Sequence, residues 1–137
     1  MQRLALTVIA VFALFAFAYA ETTCERHRQN SRTSDHGMNW DIRCDSEGFY
    51  EPMQCTNDTK KWCACYNKEE AITPPSRKIT TCVCPLARDQ ARNSNDASEC
   101  DVPQCAPTGE FKPKQCCEEE CHCVNPETGE RNPDLQC

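Results

Sequence analysis

The chain has 137 residues, a net charge of −6 and 14 cysteines. Residues 21–83 hold nine Lys/Arg against ten Asp/Glu and residues 84–137 hold five against eleven, so neither half offers the basic stripe that phosphate backbones require, which excludes nucleic acid as a partner. Leu, Ile, Val and Phe number only ten in residues 21–137; without covalent closure so little apolar material cannot offset the ordering entropy, and disulfides must form the core.

In chain order, the first element is a leader. Met1-Gln2-Arg3 is a short positive stretch, Leu4 to Phe17 is apolar apart from Thr7, and Ala18-Tyr19-Ala20 has the small-x-small pattern of a cleavage site. Residues 1–20 are therefore expected to be a secretory signal peptide. The apolar run is shorter than the roughly 20 residues that span a bilayer. No second hydrophobic stretch follows, so the remainder is expected to be secreted, monomeric and free of the membrane. All 14 cysteines fall after residue 20, and an even count in a secreted chain reads as fully bridged. A catalytic thiol needs a free cysteine beside a base, so a non-enzyme is expected. The spacings are not those of a zinc site, and no cofactor is implied.

Cys24 to Asn30 is expected to form two helical turns, and so is Pro85 to Asn93, where Pro85 suits a first helical position. Cys44-Asp-Ser-Glu-Gly-Phe-Tyr-Glu-Pro-Met-Gln-Cys55 comes next, and it returns 61 residues later as Cys105-Ala-Pro-Thr-Gly-Glu-Phe-Lys-Pro-Lys-Gln-Cys116. Glycine (Gly48, Gly109), an aromatic (Tyr50, Phe111), proline (Pro52, Pro113) and glutamine (Gln54, Gln115) hold fixed offsets. A repeat of this kind implies two copies of one module. The segments alternate like short strands, and their donorless prolines place them at a sheet edge. A Cys-x-Cys pair follows each (Cys63-Ala64-Cys65 and Cys121-His122-Cys123), with both cysteines on one side of an extended segment. Only Val83 separates the last cysteine of the first copy from the first of the second, too short a join for a flexible tether. Cys100 and Cys117 have no counterpart in the first copy, and the simplest arithmetic makes Cys100–Cys117 a seventh bridge.

Cysteine, then Cys-x3-Gly-x-aromatic-x-Pro-x-Gln-Cys, then Cys-x-Cys and a last cysteine, resembles the thyroglobulin type-1 domain, in two tandem copies at 21–83 and 84–137. The resemblance implies a small disulfide-rich fold of two modules, each a short N-terminal helix with a small antiparallel β-sheet and long bridged loops. It also implies the pairing Cys24–Cys44, Cys55–Cys63, Cys65–Cys82, Cys84–Cys105, Cys116–Cys121 and Cys123–Cys137, one of the 15 that six cysteines allow in each copy. The family's Cys-Trp-Cys is absent: Trp62 stands just outside the first pair, and His122 takes the tryptophan place in the second.

Some members of the family inhibit papain-like cysteine proteases by driving three loops of one edge into the active-site cleft, while others are modules without inhibitory action. The resemblance thus implies an inhibitor of cathepsin L type, or else a non-inhibitory or toxin-like binding protein acting on a receptor, channel or matrix component. The first copy supplies the candidate edge, Ser34–Trp40, Thr56–Lys61 and Lys68–Lys78, with His36, Gly37, Met38, Trp40, Thr56, Lys60, Lys61, Pro74 and Pro75 as contact residues. Met38 and Trp40 have a second reading, as covers of the Cys24–Cys44 bridge. Asn57-Asp58-Thr59 is an N-glycosylation sequon inside that edge, and a glycan on Asn57 would obstruct docking. In the second copy the loop from Cys117 to Cys121 carries Glu118, Glu119 and Glu120, favoured as a solvated acidic turn.

Overall fold

The computed structural model of the chain describes residues 20–33, 38–96 and 98–137. Residues 1–19 of the leader expected at 1–20, and the candidate contacts His36 and Gly37, lie outside the described residues. Helix α1 (Thr23–Thr33) leads to β1 (Trp40–Asp41), β2 (Met53–Thr56) and β3 (Cys63–Cys65); α2 (Val83–Asn93), a 3-10 turn (Glu99–Asp101), β4 (Lys114–Cys117) and β5 (Glu120–Cys123) follow. The strands form an antiparallel three-stranded sheet in the order β1-β2-β3 and an antiparallel β4-β5 hairpin.

Both helices run eleven residues, longer than the expected two turns. The start of α1 is fixed by a reciprocal cap: the Glu25 backbone N–H donates to Thr22 Oγ1 at 3.2 Å, and the Thr22 N–H donates to Glu25 Oε2 at 3.0 Å. Two otherwise orphaned donors are thereby satisfied. The strands are shorter than the repeat suggests. They begin only after Pro52 and Pro113, and the glycine-aromatic part makes single bridges, Cys44 with Tyr50 and Cys105 with Phe111. The edge placement does not hold for Pro52. It immediately precedes β2, the middle strand, where its carbonyl accepts from the Tyr66 N–H at 2.9 Å. A proline there loses only a donor that the ladder does not call on.

Seven disulfides close the chain: Cys24–Cys44, Cys55–Cys63, Cys65–Cys82, Cys84–Cys105, Cys100–Cys117, Cys116–Cys121 and Cys123–Cys137. Five of the ten buried apolar residues are cysteines, so sulfur supplies much of the interior of a chain poor in aliphatic side chains. Two small clusters form around the first bridge of each half. Cys24, Ile42 and Tyr50 carry Trp40, Cys44 and Tyr66 against them; Cys84, Phe111 and Val124 carry Ala87 and Cys105. The repeated aromatic is therefore a core residue in both halves. The repeated glutamine is buried too, and serves as a polar rivet. Gln54 accepts from the Arg43 N–H at 2.7 Å and donates to the carbonyls of Arg43 and Glu51, both at 2.8 Å. Gln115 makes the same three bonds with Gln104 and Lys112.

The halves meet without a spacer. The Thr80 and Thr81 N–H groups both donate to the Thr108 carbonyl, and just past the join, within the second half, the Cys84 N–H donates to the Gly109 carbonyl at 3.1 Å. Asn67 Nδ2 reaches Asp89 Oδ2 across the same junction at 3.0 Å.

Tyr50 and Tyr66 stack at 4.9 Å between ring centroids, and the Tyr50 hydroxyl lies 3.0 Å from His27 Nδ1. Burial pushes both phenols above the ordinary tyrosine range, and for Tyr66 the neighbouring Tyr50 adds to it. These are the only tyrosines after residue 20. The folded state holds both protons more tightly than the unfolded chain, so stability is intact below the ordinary tyrosine pKa and declines as pH rises from there through the folded values. Spectrophotometric titration of phenolate absorbance in residues 21–137 should give a midpoint above that of the reduced, unfolded chain. Coincident midpoints would contradict the burial of the pair.

Candidate functional site

The antiparallel order of the first sheet places the start of β1, the end of β2 and the start of β3 at one end. Three exposed stretches gather there. The Asn57 N–H donates to the Asn39 carbonyl at 2.9 Å, which joins the segment before β1 to the β2-β3 loop. Cys63 exchanges both backbone hydrogen bonds with Ser76, at 2.8 and 3.0 Å, which lays Pro74-Pro75-Ser76-Arg77 beside the start of β3. The base of the central loop is tied twice, by Thr56 N–H to the Trp62 carbonyl at 2.8 Å and by Trp62 N–H to Thr56 Oγ1 at 3.0 Å. Cys55 and Cys63, directly opposed in the ladder, are bridged beneath it. The loop is therefore held by a disulfide and two hydrogen bonds, and little ordering would remain for a partner to impose.

Of the candidate contact residues, Met38 is 50% exposed, and Lys60, Lys61, Pro74 and Pro75 are exposed at this edge, as is Asn57. Thr56 is not available. Its side chain is 1% exposed and spent on Trp62, because the last residue of β2 faces inward. Trp40 is half-buried and packs on the Cys24–Ile42–Tyr50 cluster, as its second reading has it. The stretch Lys68–Lys78 does not act as one loop. Tyr66 bridges Ala71, and Lys68 sits 4.7 Å over the Phe49 ring, which commits residues 68–71 to the opposite end of the sheet and leaves only 74–78 at this edge.

The edge has a chemistry that its separate stretches conceal. Arg77 lies 4.8 Å over the Trp62 ring, a stacking that orders the guanidinium and the half-buried indole together. With Lys60, Lys61 and Lys78 it makes a cationic margin in which Asp58 is the one acid among residues 38–40, 57–62 and 74–78. The nearness of Arg77 to Trp62 follows from the Cys63–Ser76 pairing, which nothing in the sequence announces.

The corresponding end of the second half is acidic and clamped. Glu118 and Glu119 form the tip of the β4-β5 hairpin, with Glu118 at φ 51°, and the Cys100–Cys117 bridge fastens the Glu99–Asp101 turn to β4. Hydrogen bonds from the Ser98 N–H and hydroxyl hold the Asp101 carboxyl below the usual carboxylate range. His122 sits half-buried opposite Gln115 in the hairpin. Among the described residues no cluster of His, Cys, Asp and Glu fit to hold a metal is found, and no helix is long and apolar enough to cross a membrane. All fourteen cysteines are bridged, so none is a thiol.

Comparison with known proteins fits this arrangement. The family model described as thyroglobulin type-1 repeat matches residues 82–136. U24-ctenitoxin-Pn1a of Phoneutria nigriventer is 33% identical over 117 residues, covering 83% of this chain and 89% of that protein. U20-hexatoxin-Hi1a of Hadronyche infensa is 30% identical over 120 residues, covering 85% and 82%. Human thyroglobulin is 32% identical over 97 residues, which is 62% of this chain and 3% of that protein. The repeat match falls on the second half alone, while the alignments to the two toxins run through most of both. The chain belongs to the family of U24-ctenitoxin-Pn1a and U20-hexatoxin-Hi1a, and it carries a thyroglobulin type-1 repeat in its second half.

Proposed function

We propose that the chain is a secreted, non-enzymatic binding protein of the kind its toxin-named relatives represent, released by removal of residues 1–20. In this reading 21–83 and 84–137 are both thyroglobulin type-1 modules, and the first holds a protein target with the edge formed by Met38, residues 57–62 and residues 74–78. The convergence of three exposed, bridged stretches on one sheet end carries the proposal. The parallel bonding of Gln54 and Gln115 supports the two-module reading. The edge's positive margin favours a target whose contact surface is acidic, since charge complementarity speeds encounter and fixes register.

A second reading has a specific observation in its favour. Three stretches side by side at one margin have the outline of a wedge, as required to occlude the active-site cleft of a papain-like cysteine protease of cathepsin L type. Two assays on the seven-bridged protein separate the readings. Saturable binding of labelled protein to excitable-cell membranes, weakened at least ten-fold by the edge variant K60E/K61E/R77E, is the result expected of a toxin-like binder; a variant that binds like the parent overturns the assignment of the edge. Stoichiometric inhibition of papain or cathepsin L, lost in the same variant, would put the protease reading first, and no inhibition at micromolar excess would remove it. Material glycosylated at Asn57 should bind more weakly than N57Q in either assay.

A further inference from the structure

The second half has five Lys/Arg against eleven Asp/Glu, yet three of those five gather in one place. Arg88 and Arg92 of α2, with Lys112 from the segment before β4, line a cleft of about 550 Å³ together with Val102, Pro103 and Cys105. That volume lies in the range of about 300–1,000 Å³ typical of small-molecule sites.

Arg88 and Arg92 are four apart on one helix and therefore neighbours on its surface, a like-charge pair that works against the helix unless an anion lies between them. The C-terminal end of the helix dipole relieves Arg92 in part. Among the described residues no acid forms an ion pair with the group, since the ion pairs there involve Arg26, Arg43 and Lys68 only. The carboxylate nearest along the helix, Asp89, is turned to Asn67 across the junction. Glu99 is the one acid lining the cleft.

We propose that this cleft binds a sulfate or phosphate ester, with Arg88, Arg92 and Lys112 on the oxyanion and Glu99 accepting from a hydroxyl of the group that carries it. Two planar guanidinium forks and an ammonium, brought in from two elements, suit an anion of three exposed oxygens better than a flat carboxylate. The acid in the lining sets the ester apart from the free ion, since it repels a bare anion and rewards a hydroxylated carrier. The site is independent of the loop edge of the first half and does not rest on the function proposed for it.

Titration of the intact seven-bridged protein at low ionic strength with glucose 6-sulfate and glucose 6-phosphate, esters that keep free hydroxyls, and separately with inorganic sulfate and phosphate, tests the assignment by calorimetry and amide chemical shifts. Each sugar ester is expected to bind saturably and at least ten-fold more tightly than its inorganic ion, with shifts centred on residues 88, 92, 99 and 112. R88Q/R92Q should weaken that binding at least ten-fold; R92Q alone, at an exposed position, serves the same purpose if the double variant fails to form seven bridges. K60Q/K61Q, which removes as much charge elsewhere, should leave it within two-fold of the parent. Absence of saturable binding overturns the site, as does an equal loss in K60Q/K61Q. Equal affinity for inorganic sulfate overturns the ester.

Discussion

Replacing Gly109 by alanine is expected to break the junction between the two halves. Gly109 has φ +91°, a conformation that L side chains rarely adopt, and a Cβ there would overlap the backbone carbonyl of Thr81. Thr81 lies in the strap that enters α2, and the Thr80, Thr81 and Cys84 N–H groups all donate to carbonyls of Thr108 and Gly109. The collision is backbone against backbone, so no side chain can rotate away from it. Conformational strain with loss of these bonds places the cost at about 3 kcal/mol or more. Gly48 also has a positive φ, but its obstacle is the Thr22 side chain, which can turn at the expense of its cap. G109A should therefore lower the unfolding midpoint well beyond G48A and raise amide exchange at Thr80, Thr81 and Cys84. A G109A midpoint equal to the parent's would show that the junction does not need this glycine.

Removing the Gln54 side-chain amide should be nearly as damaging. Gln54 is fully buried, and Q54L keeps its bulk while removing the partner of the Arg43 N–H and of the Glu51 carbonyl; the Arg43 carbonyl keeps its bond from the Glu51 N–H. At about 1–3 kcal/mol for each of these two groups left unpaired, the expected loss is roughly 2–6 kcal/mol, read from denaturant unfolding with all bridges intact. Q115L strands the equivalent groups in the second half, where Gln115 is 8% exposed, so a smaller loss is expected. A Q54L cost below about 1 kcal/mol would mean that solvent reaches the site after all.

The repeated glycine, aromatic and glutamine were legible in the sequence because each does one local job. Glycine supplies a positive φ, the aromatic caps a disulfide, and the amide ties the turn to the segment eleven residues earlier. What could not be read were contacts whose partners lie far apart in the chain with no pattern between them. Arg77 reaches Trp62 only through the pairing of Cys63 with Ser76, and Thr108 meets Thr80 only because the two halves dock. The inward face of Thr56 was concealed for a related reason: β2 is four residues long, and alternation over so short a run does not say which face is buried. By contrast, the start of α1 was recoverable, since Thr22-x-x-Glu25 is a capping pattern that marks it.

The Cys55–Cys63 bridge has a further effect that concerns hydrolysis. Any peptide bond from residue 56 to residue 62 lies inside the ring that this bridge closes. Cleavage after Lys60 or Lys61 would add a water to the molecule and release no fragment, because both new ends stay joined through the bridge. The nicked molecule keeps its mass apart from that water and keeps the severed ends close enough to be rejoined. A loop so enclosed can be cut without being discarded.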